Sequence, residues 1–146
     1  MESGKDLHSN MKQVLAIIPA TIGANGTKTG NTIDRKGYGG VEFLVSYGSV
    51  TTTGTVVTLV LKDGDVTGTL TSVADADLIG TEVLASLLAA TPRTAGTTKE
   101  VTKRLGYKGQ KRYVQLSAVQ TGVTSVGCIS GQAVLFSPVL VPVSNP

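Results

Sequence analysis

The sequence predicts an all-β chain, a single antiparallel β-sandwich of jelly-roll type with extended terminal arms. The apolar 40% of the residues consists mostly of Val, Leu and Ala alternating with Thr and Gly, and aromatic residues make up only 4%. Such β-branched residues suit a pleated strand better than a helix. The 18 glycines are spread along all 146 residues, which indicates many turns between short strands. A chain of this length is typical of one domain.

The two ends differ in composition from the middle of the chain. We expect an N-terminal arm at residues 1–12, a sandwich domain at residues 13–136 and a proline-rich C-terminal arm at residues 137–146. The first ten residues are polar and lack periodicity. The last ten contain three prolines, which cannot donate to a ladder of strands, so an extended arm is expected there.

Strand signals fill most of the middle. Residues 41–47 place Val41, Phe43, Val45 and Tyr47 on one face, and we expect Phe43 to be buried. Residues 55–61 form a near-continuous β run that predicts burial on both faces, ended by a turn at Asp63-Gly64. Residues 99–106 and 111–119 are expected to pair through a connection at 107–110, with a buried Tyr113 in the second strand and a last long strand at 123–136. Residues 81–90 predict at most a short helix.

Composition excludes most catalytic and metal chemistry. His8 is the only histidine and Cys128 the only cysteine, so no internal disulfide and no site built on several histidines can form, and the two lie in no setting that suggests a Cys–His dyad. Cys128 lies in a Val-rich run and is expected to be a small buried residue. No nucleophile motif is present. The glycines at 37–40 do not form a phosphate-binding loop, because they precede a strand rather than a helix. We therefore predict no enzyme activity, no cofactor and no catalytic or metal-binding residues. No apolar run is long enough to span a membrane.

A group of acidic residues invites a calcium-site interpretation. Asp63, Asp65, Asp75 and Asp77 could supply the oxygen ligands that Ca²⁺ prefers. Their spacing lacks the further ligands and terminal Glu of an EF-hand loop. A turn with a solvated edge is therefore favoured over a metal site.

Six of the 13 basic residues fall within fourteen positions. This basic group is the candidate interface with a capsid or with another subunit: Lys99, Lys103, Arg104, Lys108, Lys111 and Arg112. Tyr107 and Tyr113 are interleaved with it, as in platforms that bind single-stranded nucleic acid. Because successive side chains of a strand point to opposite faces of the sheet, the basic group is divided between two faces. Lysines also commonly protect the exposed edges of sheets. With a net charge of only +3, we favour edge protection or a protein interface over a nucleic-acid partner.

Three segments carry a family resemblance: KGYGGVEFLVSYGSVT at 36–51, TSVADADLIGT at 71–81 and TKRLGYKGQKRYVQL at 102–116. In this order and spacing they resemble small head proteins of tailed phages and gene transfer agents, encoded near the major capsid protein. The resemblance implies a capsid decoration or cement protein on the outer surface of the virion. Its implied partners are the major capsid protein and further copies of itself, with a trimer favoured by analogy.

Two alternatives remain open from the sequence. One is a head spike or fibre base located only at the vertices. The other is a carbohydrate-binding module displayed on the head, although four Tyr, two Phe and no Trp offer a poor stacking platform.

Overall fold

The computed structural model describes residues 6–88, 100–124 and 126–140. Ten strands dominate these residues, which confirms the predicted all-β class. The strands are β1 (Met11–Ile22), β2 (Gly26–Lys28), β3 (Thr32–Asp34), β4 (Tyr38–Gly48), β5 (Val56–Gly64), β6 (Thr71–Ser72), β7 (Leu78–Ile79), β8 (Val101–Tyr107), β9 (Tyr113–Thr121) and β10 (Gly127–Pro138). The one α-helix of the described residues is α1 (Glu82–Ala85), and short 3-10 turns lie at His8–Asn10 and Asp75–Asp77.

The strands form two antiparallel sheets that pack as a sandwich, as the sequence predicts. The front sheet has the order β1-β10-β4-β8-β7, and the back sheet the order β2-β9-β5-β6, with β3 also paired to β9. In the front sheet, Phe43 lies opposite Ala133 of β10 and Leu105 of β8. In the back sheet, Leu61 lies opposite Leu116. Alternate side chains of these strands therefore meet between the sheets.

The space between the sheets is filled by aliphatic and aromatic side chains. Phe43 is fully buried, as predicted, whereas Tyr113 is only half-buried because it lies on the outer face of β9. The largest fully buried side chains are Tyr47, Tyr107, Phe43, Ile17, Ile22, Leu59, Leu61, Leu105, Leu116, Ile129 and Leu135.

The single-turn helix α1 covers part of the edge of β5. Thr81 caps it by accepting a hydrogen bond from the Leu84 amide at 3.0 Å. After the helix, Leu87 exchanges two backbone hydrogen bonds of 2.9 Å with Val57, and the Ser86 hydroxyl accepts from the Leu59 amide at 2.8 Å. These contacts give hydrogen-bond partners within the chain to backbone groups of β5 that would otherwise be free. The predicted short helix is confirmed over Glu82–Ala85.

Strand β1 is irregular and is held at its bulge by Asn31. The register with β10 shifts between Leu15 and Ile17 and again before Ala20. The Asn31 amide donates to the Ala16 carbonyl at 2.8 Å, and its side chain donates to the Leu15 carbonyl at 3.0 Å. A Cβ on the neighbouring Gly30 would collide with backbone carbonyl oxygens of Ala16 and Leu116, so this close approach needs glycine.

One prediction about strand pairing and one about strand burial are wrong. Strands β8 and β9 do not pair, because β8 joins β4 in the front sheet and β9 joins β5 in the back sheet. The connection between them crosses from one sheet to the other. Strand β5 is buried on one face only, with Leu59 buried and Thr58 exposed, because nothing in the described chain covers the outside of the back sheet.

Four local features also differ from the predictions. Cys128 is exposed, because its position on β10 alternates with the buried Ile129 and points outward. Asp63 is buried inside β5 instead of forming a turn, and the connection to β6 follows it. The C-terminal boundary falls later than expected, since β10 continues to Pro138, which pairs with Tyr38 as an end residue. At the other end, β1 starts at Met11, inside the expected arm.

Candidate interface and the charged end of the sandwich

The structure divides the predicted basic group into two parts. Lys103 and Arg104 lie on β8 of the front sheet, whereas Lys111 and Arg112 precede β9 of the back sheet. Lys108 lies on the connection between them and is exposed. Lys99 lies outside the described residues. The group is therefore not one continuous basic stripe.

Arg112 is held in place by two carboxylates. Its Nε and a terminal nitrogen donate to the two oxygens of Asp34 at 3.0 and 2.8 Å, which is the bidentate geometry of a guanidinium on a carboxylate. Its backbone amide donates to Asp65 at 3.3 Å, and its guanidinium covers the Tyr113 ring at 4.9 Å. Next to it, the Lys111 ammonium pairs with Asp65 at 2.9 Å. Both basic residues are thus occupied within the chain.

A buried layer lies behind these surface pairs. The Tyr107 hydroxyl donates to the buried Asp63 carboxylate at 2.8 Å and accepts from the Lys111 amide at 3.2 Å. Arg35 places its guanidinium 5.6 Å from the Tyr107 ring centre and donates to the Tyr38 carbonyl at 3.0 Å. A buried carboxylate is tolerated only with such partners. We call the eight residues of these two layers the paired end: Asp34, Arg35, Asp63, Asp65, Tyr107, Lys111, Arg112 and Tyr113.

Electrostatics at the paired end follow from these contacts. The hydrogen bonds from Arg112 lower the pKa of Asp34, and those from Lys111 and Arg112 lower the pKa of Asp65. Asp65 in turn raises the pKa of Lys111. Burial, together with the hydrogen bond to Asp63, raises the pKa of the Tyr107 hydroxyl. Every group with a shifted pKa here is stabilised in its ordinary charge state, which is the pattern of a structural network.

The outer face of the front sheet has a different character. Leu15, Gln132, Leu44 and Arg104 follow one another across β1, β10, β4 and β8 in a single row. Leu15 is 39% exposed and Leu44 42% exposed. A shallow cavity of about 460 Å³ includes Leu44, Arg104, Ser46, Thr102, Lys103, Ser130 and Gln132 in its lining. Among the described residues, neither Lys103 nor Arg104 has an ion-pair partner within 4.0 Å.

The neighbouring row of the same face adds one acidic and one apolar residue. Glu42 lies opposite Val134 and Gly106, and Ile79 pairs with Gly106 and is 54% exposed. Burial raises the pKa of Glu42, and the charge of Arg104 partly offsets this. We call the exposed row and its neighbours the front face: Leu15, Glu42, Leu44, Ile79, Arg104 and Gln132. It combines exposed apolar area with unpaired charge, the composition typical of a protein interface.

The acidic group predicted as a turn with a solvated edge is dispersed. Asp63 and Asp65 belong to the paired end, whereas Asp75 and Asp77 lie in a 3-10 turn where the Asp77 carbonyl accepts from the Lys108 amide at 2.9 Å. Across the described ranges, no cluster of three or more His, Cys, Asp or Glu side chains could hold a metal ion. No helix in those ranges is long and apolar enough to cross a membrane.

Sequence reasoning singled out the basic residues of the paired end and of the front face but missed the residues that surround them. Arg35 and Asp34 are distant from Arg112 in the chain, and nothing in their local pattern indicates the pairing. Leu44 could have been found, since it is an apolar residue on the otherwise polar face of the clearest strand. Leu15 could not, because the bulge in β1 changes which residues point outward.

Comparisons with known proteins give a fold but no family. No family model matches the chain, and no curated protein matches it. A chain in the structure of the Gx strain of infectious bursal disease virus superposes with a TM-score of 0.51 at 10% identity, covering 85% of this chain and 31% of the viral chain. This chain therefore spans about a third of the length of that one. At such low identity the likeness shows a shared fold alone.

A second likeness is weaker. A chain in the structure of disulfide-linked pili from Bacillus endospore appendages superposes with a TM-score of 0.42 at 13% identity, covering 87% of this chain and 88% of the other.

Proposed function

We propose that this chain is a structural protein of a tailed-phage virion that decorates or cements the outside of the capsid. Its partners would be the major capsid protein and further copies of itself, with a trimer favoured by analogy. Two observations motivate the proposal besides the front face: the three sequence segments that resemble phage head proteins, and a sandwich fold also found in a virus structure. We expect no catalysis, no cofactor and no nucleic-acid partner for this role.

The observation that carries the proposal is the front face. Leu44 and Ile79 are substantially exposed near Arg104, although β4 buries its alternate residues Phe43 and Val45 completely. Exposed apolar side chains bordered by a charge gain free energy when a partner removes them from water. Arg104 would add electrostatic attraction to an acidic capsid surface, which acts mainly on the association rate. We therefore assign attachment to the front face.

Repetition would strengthen a weak contact of this kind. The front face is small, and one copy would bind a capsid subunit only weakly. An oligomer that engages several capsid subunits at once converts the later contacts into intramolecular ones, which raises the overall affinity. This is why we include self-association in the proposal.

Co-sedimentation with heads tests the proposal. Heads assembled from the major capsid protein encoded in the same genome would be mixed with the purified chain and pelleted. We expect saturable binding that Leu44→Asp weakens strongly, while Thr58→Asp, an exposed change on the outside of the back sheet, leaves it unaltered. Absence of the chain from the pellet, or equal binding by both variants, would contradict the proposal.

Copy number distinguishes lattice decoration from the vertex alternative. Hundreds of copies per head indicate decoration, whereas tens indicate a spike or fibre base at the vertices. The carbohydrate alternative gains nothing from Tyr113, since the Arg112 guanidinium already covers one face of its ring. Binding on a glycan array at micromolar concentration would favour that alternative over capsid attachment.

A further inference from the structure

One buried polar group in the described chain lacks a partner. Gln120 is 5% exposed and lies near the end of β9, opposite Gly26 of β2 and Val57 of β5. Its side-chain Nε2 is buried and makes no hydrogen bond within the described residues. Buried amide groups are nearly always paired, so an unpaired one calls for an explanation.

Gln120 borders an open cavity of about 330 Å³. The rest of the lining comes from Thr21 and from residues 23–28 at the end of β1, in the following turn and in β2. Lys28 is the charged residue of this lining, and it has no ion-pair partner within the described part of the chain. Asn25 is already engaged, since its side-chain oxygen accepts from the Val123 amide at 3.0 Å.

The free side-chain groups of the cavity are mainly donors. Lys28 brings an ammonium group to the lining, and Thr21 and Thr27 bring hydroxyls that both donate and accept. Gln120 also borders the cavity, and its unpaired, buried Nε2 would meet a ligand there once the side chain turns toward the opening. None of the described residues that line this space carries a carboxylate. An oxygen acceptor with negative charge would satisfy the Gln120 amide and neutralise Lys28 together, which a water molecule cannot do.

We propose that this cavity, the Gln120 pocket, binds a carboxylate group. The carboxylate could belong to an acidic side chain of a partner protein or to a small organic acid, and the pocket chemistry is the same for both. The site is separate from the paired end, since Gln120 and Tyr113 lie seven residues apart on β9, roughly 23 Å at the usual rise per residue. It goes beyond capsid attachment and does not depend on it.

Nuclear magnetic resonance on the full-length, ¹⁵N-labelled chain tests the proposal. Sodium acetate and a capped peptide containing one Glu would be titrated at constant ionic strength, with sodium chloride and glucose as comparison solutes. We expect saturable shifts of the Gln120 side-chain amide signals and of backbone signals at residues 23–28 with acetate or the peptide, but not with chloride or glucose. Tighter binding of the peptide indicates a protein partner, and equal or weaker binding indicates a small acid.

Two variants check that the residues act as proposed. Gln120→Leu removes the unpaired donor, so it should weaken acetate or peptide binding by about tenfold or more while leaving the melting temperature unchanged or raised. Lys28→Gln is an exposed change that should weaken binding without affecting folding, and Lys36→Gln is the matched control. The proposal is overturned if acetate and the peptide shift no pocket signal, if glucose shifts them equally, or if Lys28→Gln binds as the parent does.

Discussion

Two pairs of basic residues lie within ten positions of the chain and have opposite roles in the structure. Arg112 and Lys111 are bound to Asp34 and Asp65, whereas Arg104 and Lys103 lie on β8 without an ion-pair partner among the described residues. In sequence the two pairs look alike. The difference arises because the chain crosses from the front to the back sheet between them.

The comparison shows that a cluster of basic residues in the sequence does not tell which of their side chains are free to bind a partner. Asp34 reaches Arg112 because β3 pairs with the start of β9, which places Asp34 opposite Tyr113. Among the described residues, no carboxylate forms an ion pair with Arg104, which lies opposite Leu44, two positions along β4 from Glu42. We infer that the first pair stabilises the fold and that Arg104, which is exposed on the outer face of β8, is available to a partner.

The largest effect is expected from Tyr107→Phe, which tests the structural side of this comparison. The change leaves the buried Asp63 carboxylate and the Lys111 amide without the phenol group, and we expect a loss of about 1–3 kcal/mol in the free energy of unfolding. The matched control is Tyr38→Phe, whose hydroxyl makes no hydrogen bond within the described residues and whose removal should have little effect. Urea unfolding of both variants measures the difference, and equal losses would show that the buried layer is not stabilising.

A smaller effect is expected from neutralising each arginine in turn. Arg112→Gln breaks a bidentate ion pair at the surface and should lower the melting temperature slightly, as is usual for exposed pairs. Arg104→Gln should leave it unchanged. Salt should reduce the difference between parent and Arg112→Gln by screening. Differential scanning calorimetry measures both melting temperatures. A larger decrease for Arg104→Gln than for Arg112→Gln would mean that Arg104, and not Arg112, stabilises the fold.

The pH dependence of stability sharpens the comparison further. Because Arg112 lowers the pKa of Asp34, this ion pair contributes fully above the unfolded pKa, near 4, and the contribution is lost as pH falls through the folded pKa. The melting temperatures of the parent and of Asp34→Asn should therefore differ at pH 7 and converge in acid, once the pH has fallen through the lowered pKa of Asp34. Asp75→Asn is the control, and it should follow the parent throughout. If the melting temperatures of the parent and of Asp34→Asn differed by the same amount down to about pH 2, the ionised Asp34 carboxylate could not be the cause of the difference.

The smallest effect is expected from chelation. Asp63 and Asp65 are occupied by Tyr107 and Lys111, so they are poorly placed to gather around a cation. The melting temperature should be the same with and without EDTA. A decrease of more than a few degrees would reveal a metal contribution that the acidic group was predicted not to make.

Alternation in the sequence was sufficient to predict the main strands. The pattern in residues 41–47 gives the inward face of β4 correctly, since Phe43 and Val45 are both fully buried. The short helix at Thr81 was also predictable from its good helix formers. Sheet membership was not, because β8 and β9 are adjacent in sequence and each could have paired with the other. The outward position of Cys128 depends on the register of β10, which no local pattern specifies.

The candidate site was predictable only in part. The density of basic residues drew attention to the region from Lys103 to Arg112. This region contributes Tyr107, Lys111 and Arg112 to the paired end and Arg104 to the front face. The sequence could not show which of these residues are neutralised, because Asp34 is distant in the chain. It also did not single out Gln120, whose significance depends on burial without a partner.

The most direct test of the central claim measures stability and head binding for the same two variants. Arg104→Glu and Arg112→Gln would each be assayed by calorimetry and by co-sedimentation with heads at a temperature well below unfolding. We predict that Arg104→Glu weakens head binding without lowering the melting temperature, and that Arg112→Gln lowers the melting temperature without weakening head binding. The opposite pattern, with Arg112→Gln losing head binding and Arg104→Glu losing stability, would contradict the division of the basic group.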